Sequence, residues 1–232
     1  MRFDIMTLFP ELVNGILGES IIGRARQAGF IEVNTYNIRD YSEDKHRRVD
    51  DTPYGGGKGM LMAAPPIYNC YAEVMNRIIA EKGDIRTRVV YMSPKGSVLT
   101  QDTAKRLANE YDGLIILCGH YEGVDHRIIE EIVDDEISIG DYVLTGGELP
   151  ACILVDCVAR LVDGVLAAPE CYEDESISCG MLEYPQYTRP YEFHGKKVPD
   201  VLLSGHHANI DKWRHETAVQ ETVKKRPDLL ER

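Results

Sequence analysis

No apolar run in this chain approaches the about 18 residues that a helix needs to cross a bilayer, which excludes a transmembrane span. The amino-terminal stretch MRFDIMTLFPELV carries Asp4 and has no small-residue cleavage site after a long apolar core. It does not read as a secretory signal, and a cytoplasmic chain is expected. The six cysteines, at 70, 118, 152, 157, 171 and 179, form no CxxC pair and no Cys/His spacing suited to zinc. Reduced packing thiols are expected, with neither a structural metal nor a required disulfide. No GxGxxG follows a strand, so a dinucleotide site has no support. The run GGGKGM (55–60) fails the phosphate-loop pattern because Gly59, not Ser or Thr, follows Lys58. HExxH, GxSxG and an EF-hand ligand run are also missing, and the common catalytic frameworks go with them.

Positive charge is scarce too. The net charge of −12 argues against non-specific DNA binding, and no DNA partner is expected. The deficit is uneven, however: residues 181–232 hold 9 Lys and Arg against 8 Asp and Glu, so the excess of acid lies in residues 1–180. Screening limits each charge to a reach of roughly 10 Å at 0.1 M salt, so a local basic surface for a specific RNA remains compatible with the average. At 232 residues with 44% hydrophobic and 28% charged residues, the chain can bury a sizeable core and is expected to be globular.

Short apolar runs alternate with amphipathic stretches through the first two-thirds. RFDIMTLF (2–9) reads as a strand, Pro10 as the first turn of a helix through about Arg26, and FIEVNTYNI (30–38) as a second strand. Residues 65–82 place Ile67, Tyr71, Val74 and Ile78 on one helical face. RVVYMSP (88–94) and LIILCG (114–119) are buried strands, with a helix from about Gln101 to Glu110 between them. Helix, short strand and helix follow at 124–133, 136–140 and 147–162. This alternation predicts an α/β domain with a parallel sheet covered on both faces. Residues 162–175 are rich in Gly, Pro and acid and predict a flexible linker that orders on RNA; a small, mainly helical unit is expected over 176–232. No internal repeat is evident.

Three glycine-rich junctions follow apolar strands: SPKG (93–96), CGHYEGVD (118–125) and SIGDYVLTGGELP (138–150). In a parallel sheet all three emerge at the carboxyl edge, where open α/β sheets bind ligands. Any one alone reads as an ordinary tight turn; three together point to a site in which backbone groups approach a ligand closely. The exposed stretch KHRRVDDTPYGGGKGM (45–60) places Lys45, Arg47, Arg48 and Lys58 for phosphate contacts. Taken without any relative, these features also suit an acidic α/β enzyme acting on a small nucleotide.

The segments VDDTPYGGGKGM, CGHYEGVDHR, SIGDYVLTGGELP, EYPQYTRP and VPDVLLSGHH, in that set and order from LFPE (8–11) to KRPDLLE (225–231), resemble the bacterial tRNA (guanine-37-N1)-methyltransferases of the SPOUT class. The resemblance implies a parallel-sheet domain over 1–161 with a trefoil knot, a homodimer, and a tRNA partner with G at position 37 gripped by the C-terminal unit. It implies S-adenosylmethionine as methyl donor, held by Tyr91, Ser93 and Pro94; by Gly119, Tyr121, Glu122 and Gly123; and by Ser138, Ile139, Gly140, Tyr142, Val143, Leu144, Gly146 and Gly147. It extends the RNA contacts to Gly57, Gly59, Arg189 and His206. A divalent cation is compatible with such a reaction, but no ligand cluster stands out and no metal site is assigned.

Guanine N1 carries a proton at neutral pH, so attack on a methyl group needs a base and a group to stabilise charge moving to O6. By the resemblance Arg160, on the helix after the third loop, is that stabiliser. The base in the family is an Asp at a fixed distance before the segment matching GMLEYP; here Glu175 keeps the register, while Asp174 keeps the residue type one place earlier. Glu175 is the assignment by register. The runner-up reading is a knotted RNA-binding protein without catalysis, motivated by the same Glu.

Overall fold

The computed structural model describes residues 1–167, 175–177 and 179–231. The chain divides into two compact units, Met1–Ala167 and Ala168–Arg232. In the first, β1 (Arg2–Thr7), β2 (Glu32–Asn37), β5 (Thr87–Val98), β6 (Gly113–Cys118) and β7 (Asp135–Ser138) make one sheet in the order β2-β1-β6-β5-β7. Every pairing in it is parallel. This is the parallel α/β architecture that the apolar runs predict. The central strands β1 and β6 are buried along their whole length, as a sheet covered on both faces requires.

Two hydrophobic clusters occupy the two faces. Phe3, Ile5, Leu114 and Ile116 point to one with α1 (Pro10–Leu17), α2 (Ser20–Gln27), α4 (Gln101–Glu110) and α6 (Glu148–Ala159). Met6, Ile115 and Leu117 point to the other, with α3 (Ala64–Lys82) and α5 (His126–Ile132). The alternation along β1 and β6 decides this division, because successive side chains leave a strand on opposite faces. Each fully buried Ile, Leu or Phe contributes about 1.5–3 kcal/mol. On α3, Ile67, Val74 and Ile78 are buried as the helical spacing predicts, and Tyr71 packs at the margin.

Two expectations need correction. The single helix predicted to run to about Arg26 is two helices, because Ser20 adopts φ 55° and Gly23 packs directly on the Gly18 carbonyl, where a Cβ would overlap it. SPKG (93–96) is not a loop after the strand but part of β5: the register against β7 shifts between Met92 and Ser97, and Gly96 lies against the Glu136 carbonyl. The stretch 45–62 is largely exposed and contains the antiparallel pair β3 (Asp50–Asp51) and β4 (Leu61–Met62).

At the start of β1 a buried ion pair joins the sheet. Arg2 meets Asp4 at 2.7 Å, and Asp4 also accepts from the Tyr36 hydroxyl at 2.9 Å and from Asn34 at 3.1 Å. The Arg2 guanidinium is held charged chiefly by its bonds to Asp4. The Tyr36 hydroxyl is pushed up, first by burial and then by the Asp4 carboxylate.

In the second unit, α7 (His207–Lys225) ends before Pro227, which opens a 3-10 helix, Pro227–Glu231. Proline has no N–H to continue the ladder. Thr222 on α7 accepts from the Leu182 N–H at 2.9 Å, and Trp213 packs between Tyr184 and Tyr187 at 6.3 and 6.4 Å. A short hairpin, β8 (Glu192–Phe193) and β9 (Lys196–Lys197), completes it. Of the expected linker, residues 162–167 form turns after α6; the expectation of flexibility rests on 168–174, which lie outside the described residues, as does Asp174.

Candidate active site

Three segments at the carboxyl edge of the sheet enclose a cleft of about 440 Å³, within the usual range of about 300–1,000 Å³ for a small-ligand site. The first segment comes from β5. Tyr91 is buried, with its hydroxyl against Gly119, and burial pushes that hydroxyl up to about 12, with Glu136 acting in the same direction. Ser93 Oγ accepts from the Lys95 N–H at 3.2 Å.

The second segment follows β6. Gly119 abuts the Tyr91 ring, where a Cβ would stand 2.8 Å from the hydroxyl oxygen. Tyr121 takes φ 59° and Gly123 φ 117°, so the chain turns sharply enough for the Gly123 N–H to reach the His120 carbonyl at 3.0 Å. A left-handed tyrosine is uncommon and stores strain in this turn. Residues 60–62 brace it: the Glu122 N–H donates to the Met60 carbonyl and the Met62 N–H to the Gly123 carbonyl, each at 3.0 Å. The Asp125 N–H then donates to the Met62 carbonyl at 2.9 Å. Asp125 caps α5, and its bonds to Arg127 hold its carboxyl below the usual range.

The third segment follows β7. Ser138 Oγ exchanges hydrogen bonds with Gly140, donating to its carbonyl at 3.0 Å and accepting from its N–H at 3.2 Å. Gly140 is at φ 146° with Tyr142 folded over it. The Gly147 N–H donates to the Gly119 carbonyl at 2.8 Å, tying the third segment to the second just before α6. A Cβ on Gly147 would lie 2.8 Å from the Cys118 Cα. Glycine is required here for the close approach of two backbones.

Of the predicted donor residues, Tyr91, Ser93, Pro94, Gly119, Tyr121, Glu122, Gly123, Ser138, Ile139, Tyr142, Val143, Leu144, Gly146 and Gly147 all line this one cleft. Gly140 does not line it and acts through its bonds to Ser138. The walls also include Leu61, Lys95, His120, Glu136 and Thr145, which sequence reasoning did not single out. Lys95, His120 and Thr145 lie inside the glycine-rich motifs and were within reach. Leu61 carries no such signal, because only the pairing of Met62 with Val124 brings it there.

Arg160 stands elsewhere. It caps α6 and lines a second cavity of about 530 Å³, which shares Ile139, Tyr142 and Leu144 with the first. The third segment is thus a partition between the two. Glu175, in the second unit, precedes a tight turn in which the Ile177 N–H reaches the Met181 carbonyl at 2.8 Å and the Glu183 N–H reaches Ser176 Oγ at 3.0 Å. Lys45, Arg47, Arg48, Gly57, Lys58 and Gly59 are all exposed on the stretch before β4, and Gly59 lies against the Glu122 side chain. Arg47 is paired with Asp40 at 2.8 Å and Arg48 with Asp44 at 3.0 Å. Arg189 and His206 are exposed in the second unit, His206 at the start of α7.

A parallel sheet whose carboxyl edge carries a backbone-built cleft defines an α/β protein with a site for a small ligand. The sequence profile of the family described as tRNA (Guanine-1)-methyltransferase TrmD matches residues 1–232. The tRNA (guanine-N(1)-)-methyltransferase of Ruminiclostridium cellulolyticum is 59% identical over 230 residues, covering 99% of this chain and 96% of that protein. Its counterpart from Lachnospira eligens is 55% identical, with 100% and 95% covered, and that from Clostridioides difficile 53%, with 100% and 98% covered. The chain belongs to the tRNA (guanine-1)-methyltransferase family.

Proposed function

We propose that the protein transfers a methyl group from S-adenosylmethionine to N1 of guanosine 37 in tRNA, in the cytoplasm. The observation that carries this reading is the convergence of three glycine-built segments on one cleft in a chain of this family. Gly119 packs directly on Tyr91 and Gly147 directly on the Cys118 backbone, so main-chain groups of both segments stand at the cleft, which suits a donor gripped largely by backbone groups. The donor supplies an electrophilic methyl group; the chain's own work is done on guanine. Glu175 takes the N1 proton, and Arg160 stabilises the negative charge that moves toward O6. The N1–C bond then forms as the methyl group leaves sulfur, and the proton remains on the carboxyl.

A trefoil knot through the third segment and a homodimer are part of the proposal. Ile16, Ile21, Leu149 and Ile153 are exposed around the second cavity, an apolar patch of the kind that marks a protein interface. In a dimer that patch is covered and the Arg160 side of the partition becomes enclosed. Lys45, Arg47, Arg48 and Lys58, with the backbone of Gly57 and Gly59, contact phosphates, and the unit after the linker, with Arg189 and His206, grips the anticodon stem-loop.

Methyl transfer from labelled donor to a transcript with G at position 37, against the same transcript with A, tests the reaction. Incorporation confined to the G transcript and mapped to N1 is expected. Glu175→Ala should keep tRNA binding and lose turnover. Activity that survives Glu175→Ala and vanishes in Asp174→Ala would move the base to Asp174. Donor binding without transfer in the unaltered protein would favour the binding-only reading.

A further inference from the structure

Glu148 is a buried carboxylate, 3% exposed, in the first turn of α6, and among the described residues no Lys or Arg pairs with it. Its Oε1 accepts from Thr7 Oγ1 at 2.8 Å, and the Phe9 N–H donates to that same hydroxyl at 2.9 Å. The Phe9 bond occupies a lone pair of Thr7, so the hydroxyl proton is committed to Glu148. The other oxygen, Oε2, faces Gly146: a Cβ built there would lie 2.5 Å from it and 2.6 Å from Nδ1 of His120. The two atoms thus confront one another across a glycine.

His120 Nδ1 is buried and has no hydrogen-bond partner, which is costly for a ring nitrogen. The ring is held by Phe9 at 5.2 Å and by the edge of Tyr121 at 4.9 Å. His120 belongs to the second segment of the cleft and pairs with Gly146 of the third in an antiparallel bridge. Cys118 and Cys152, the other titratable neighbours, both feel the Glu148 charge and are pushed up chiefly by burial. Glu148 therefore stands where the end of β1, the second segment and the third segment meet.

We propose that Glu148 is a positioning residue for the methyl donor. Thr7 holds one oxygen, and the other faces the unpartnered Nδ1 of His120 across Gly146; closing that gap when the donor binds clamps the second and third segments to the end of β1 and sets the width of the cleft. The glycine at 146 is what leaves the path between the imidazole and the carboxylate open. The inference rests on the methyl-transfer reading above and adds to it a residue outside the cleft wall.

The test is a double-mutant cycle on Glu148→Gln and His120→Phe, with kcat and donor KM measured on tRNA. Each single variant should raise donor KM on the order of tenfold while kcat at saturating donor stays within about twofold. The double variant should be no worse than the worse single, because the two residues act as one unit. His120→Asn, whose amide nitrogen can reach where Nδ1 stands, should restore most of the affinity. Additive effects, or a fall in kcat with KM unchanged, would overturn the proposal. If Glu148→Gln does not fold, Thr7→Val and His120→Phe run the same cycle, with Thr7→Ser as the rescue. Absence of methyl transfer in the unaltered protein refutes the methyl-transfer reading instead, so the two failures are distinguishable.

Discussion

Replacing Gly147 by alanine puts the backbone construction of the cleft to its sharpest test. The backbone itself is no obstacle, since φ at Gly147 is −83°. The obstacle is space: the new methyl would lie 2.8 Å from the Cys118 Cα, 2.9 Å from the Gly119 nitrogen and 3.2 Å from the Cys118 carbonyl carbon. Ordinary carbon contacts are about 3.5–4.0 Å, so relief of at least roughly 0.7 Å is needed. β6 is hydrogen-bonded to β1 on one side and β5 on the other and cannot yield. The start of α6 must move instead, stretching the 2.8 Å bond from the Gly147 N–H to the Gly119 carbonyl. Overpacking costs about 1–3 kcal/mol and the lost bond about 1 kcal/mol, so a loss of about 2–4 kcal/mol is expected. At about 2–4 °C per kcal/mol for a chain of this size, the melting temperature should fall by roughly 4–16 °C. Donor affinity, read by isothermal titration, should fall on the order of tenfold or more, because the same movement opens the cleft. A variant that melts within about 2 °C of the parent and binds donor equally well would refute the reasoning.

Other perturbations give contrasting signs. Gly15→Ala, at an exposed position inside α1 with nothing within 4 Å of the new Cβ, should stabilise by about 0.5–1 kcal/mol in urea unfolding. Asp135 is held below the usual carboxylate range by Arg88, with Arg106 assisting, so its stabilising effect is present above the ordinary carboxyl value of about 3.9 and is lost as pH falls through its depressed folded value. Asp135→Asn should accordingly cost about 1–3 kcal/mol at pH 7, and the gap from the parent should close only in strong acid; a gap unchanged at low pH would contradict the assignment. Burial pushes the Cys118 thiol well up and that of Cys152 to about 11, whereas Cys179 is exposed. Alkylation of the native protein followed by peptide mapping should label Cys179 rapidly and leave Cys118 and Cys152 unmodified.

The parallel sheet was legible because VVYM in β5 and LIILC in β6 are continuously apolar where both faces are covered, and the glycine motifs marked the edge where the cleft lies. What escaped was set by tertiary contact. The break at Gly18–Ser20 depends on Gly23 packing against the Gly18 carbonyl, which no periodicity reports. SPKG looked like a turn by composition, yet it continues β5 because an irregular stretch can keep pairing with β7 on either side of it. Leu61 joins the cleft through a bridge at Met62, and Glu148 reads as an unremarkable first-turn carboxylate until Thr7, far away in sequence, is placed beside it. The roles given to Arg160 and Glu175 came from family resemblance alone: taken singly, one is a helix-terminal arginine and the other a carboxylate in an acidic run.

The acidic average and the RNA reading are reconciled by how the basic stretch is wired. Arg47 and Arg48 already have carboxylate partners, Asp40 and Asp44, on the same exposed segment. A phosphate that takes either arginine displaces one anion with another, and the freed carboxylate recruits a counterion in turn. Such an exchange yields little net counterion release, which is the term that drives indiscriminate binding to nucleic acid. Lys45 and Lys58 have no ion-pair partner among the described residues and contribute that term in full. In the proposed contacts the stretch therefore meets phosphates without a strong long-range pull. A net charge of −12 reinforces this by repelling nucleic acid that cannot make the specific contacts. Discrimination then rests on the fit of one folded RNA rather than on charge, which is what a single-position modification requires.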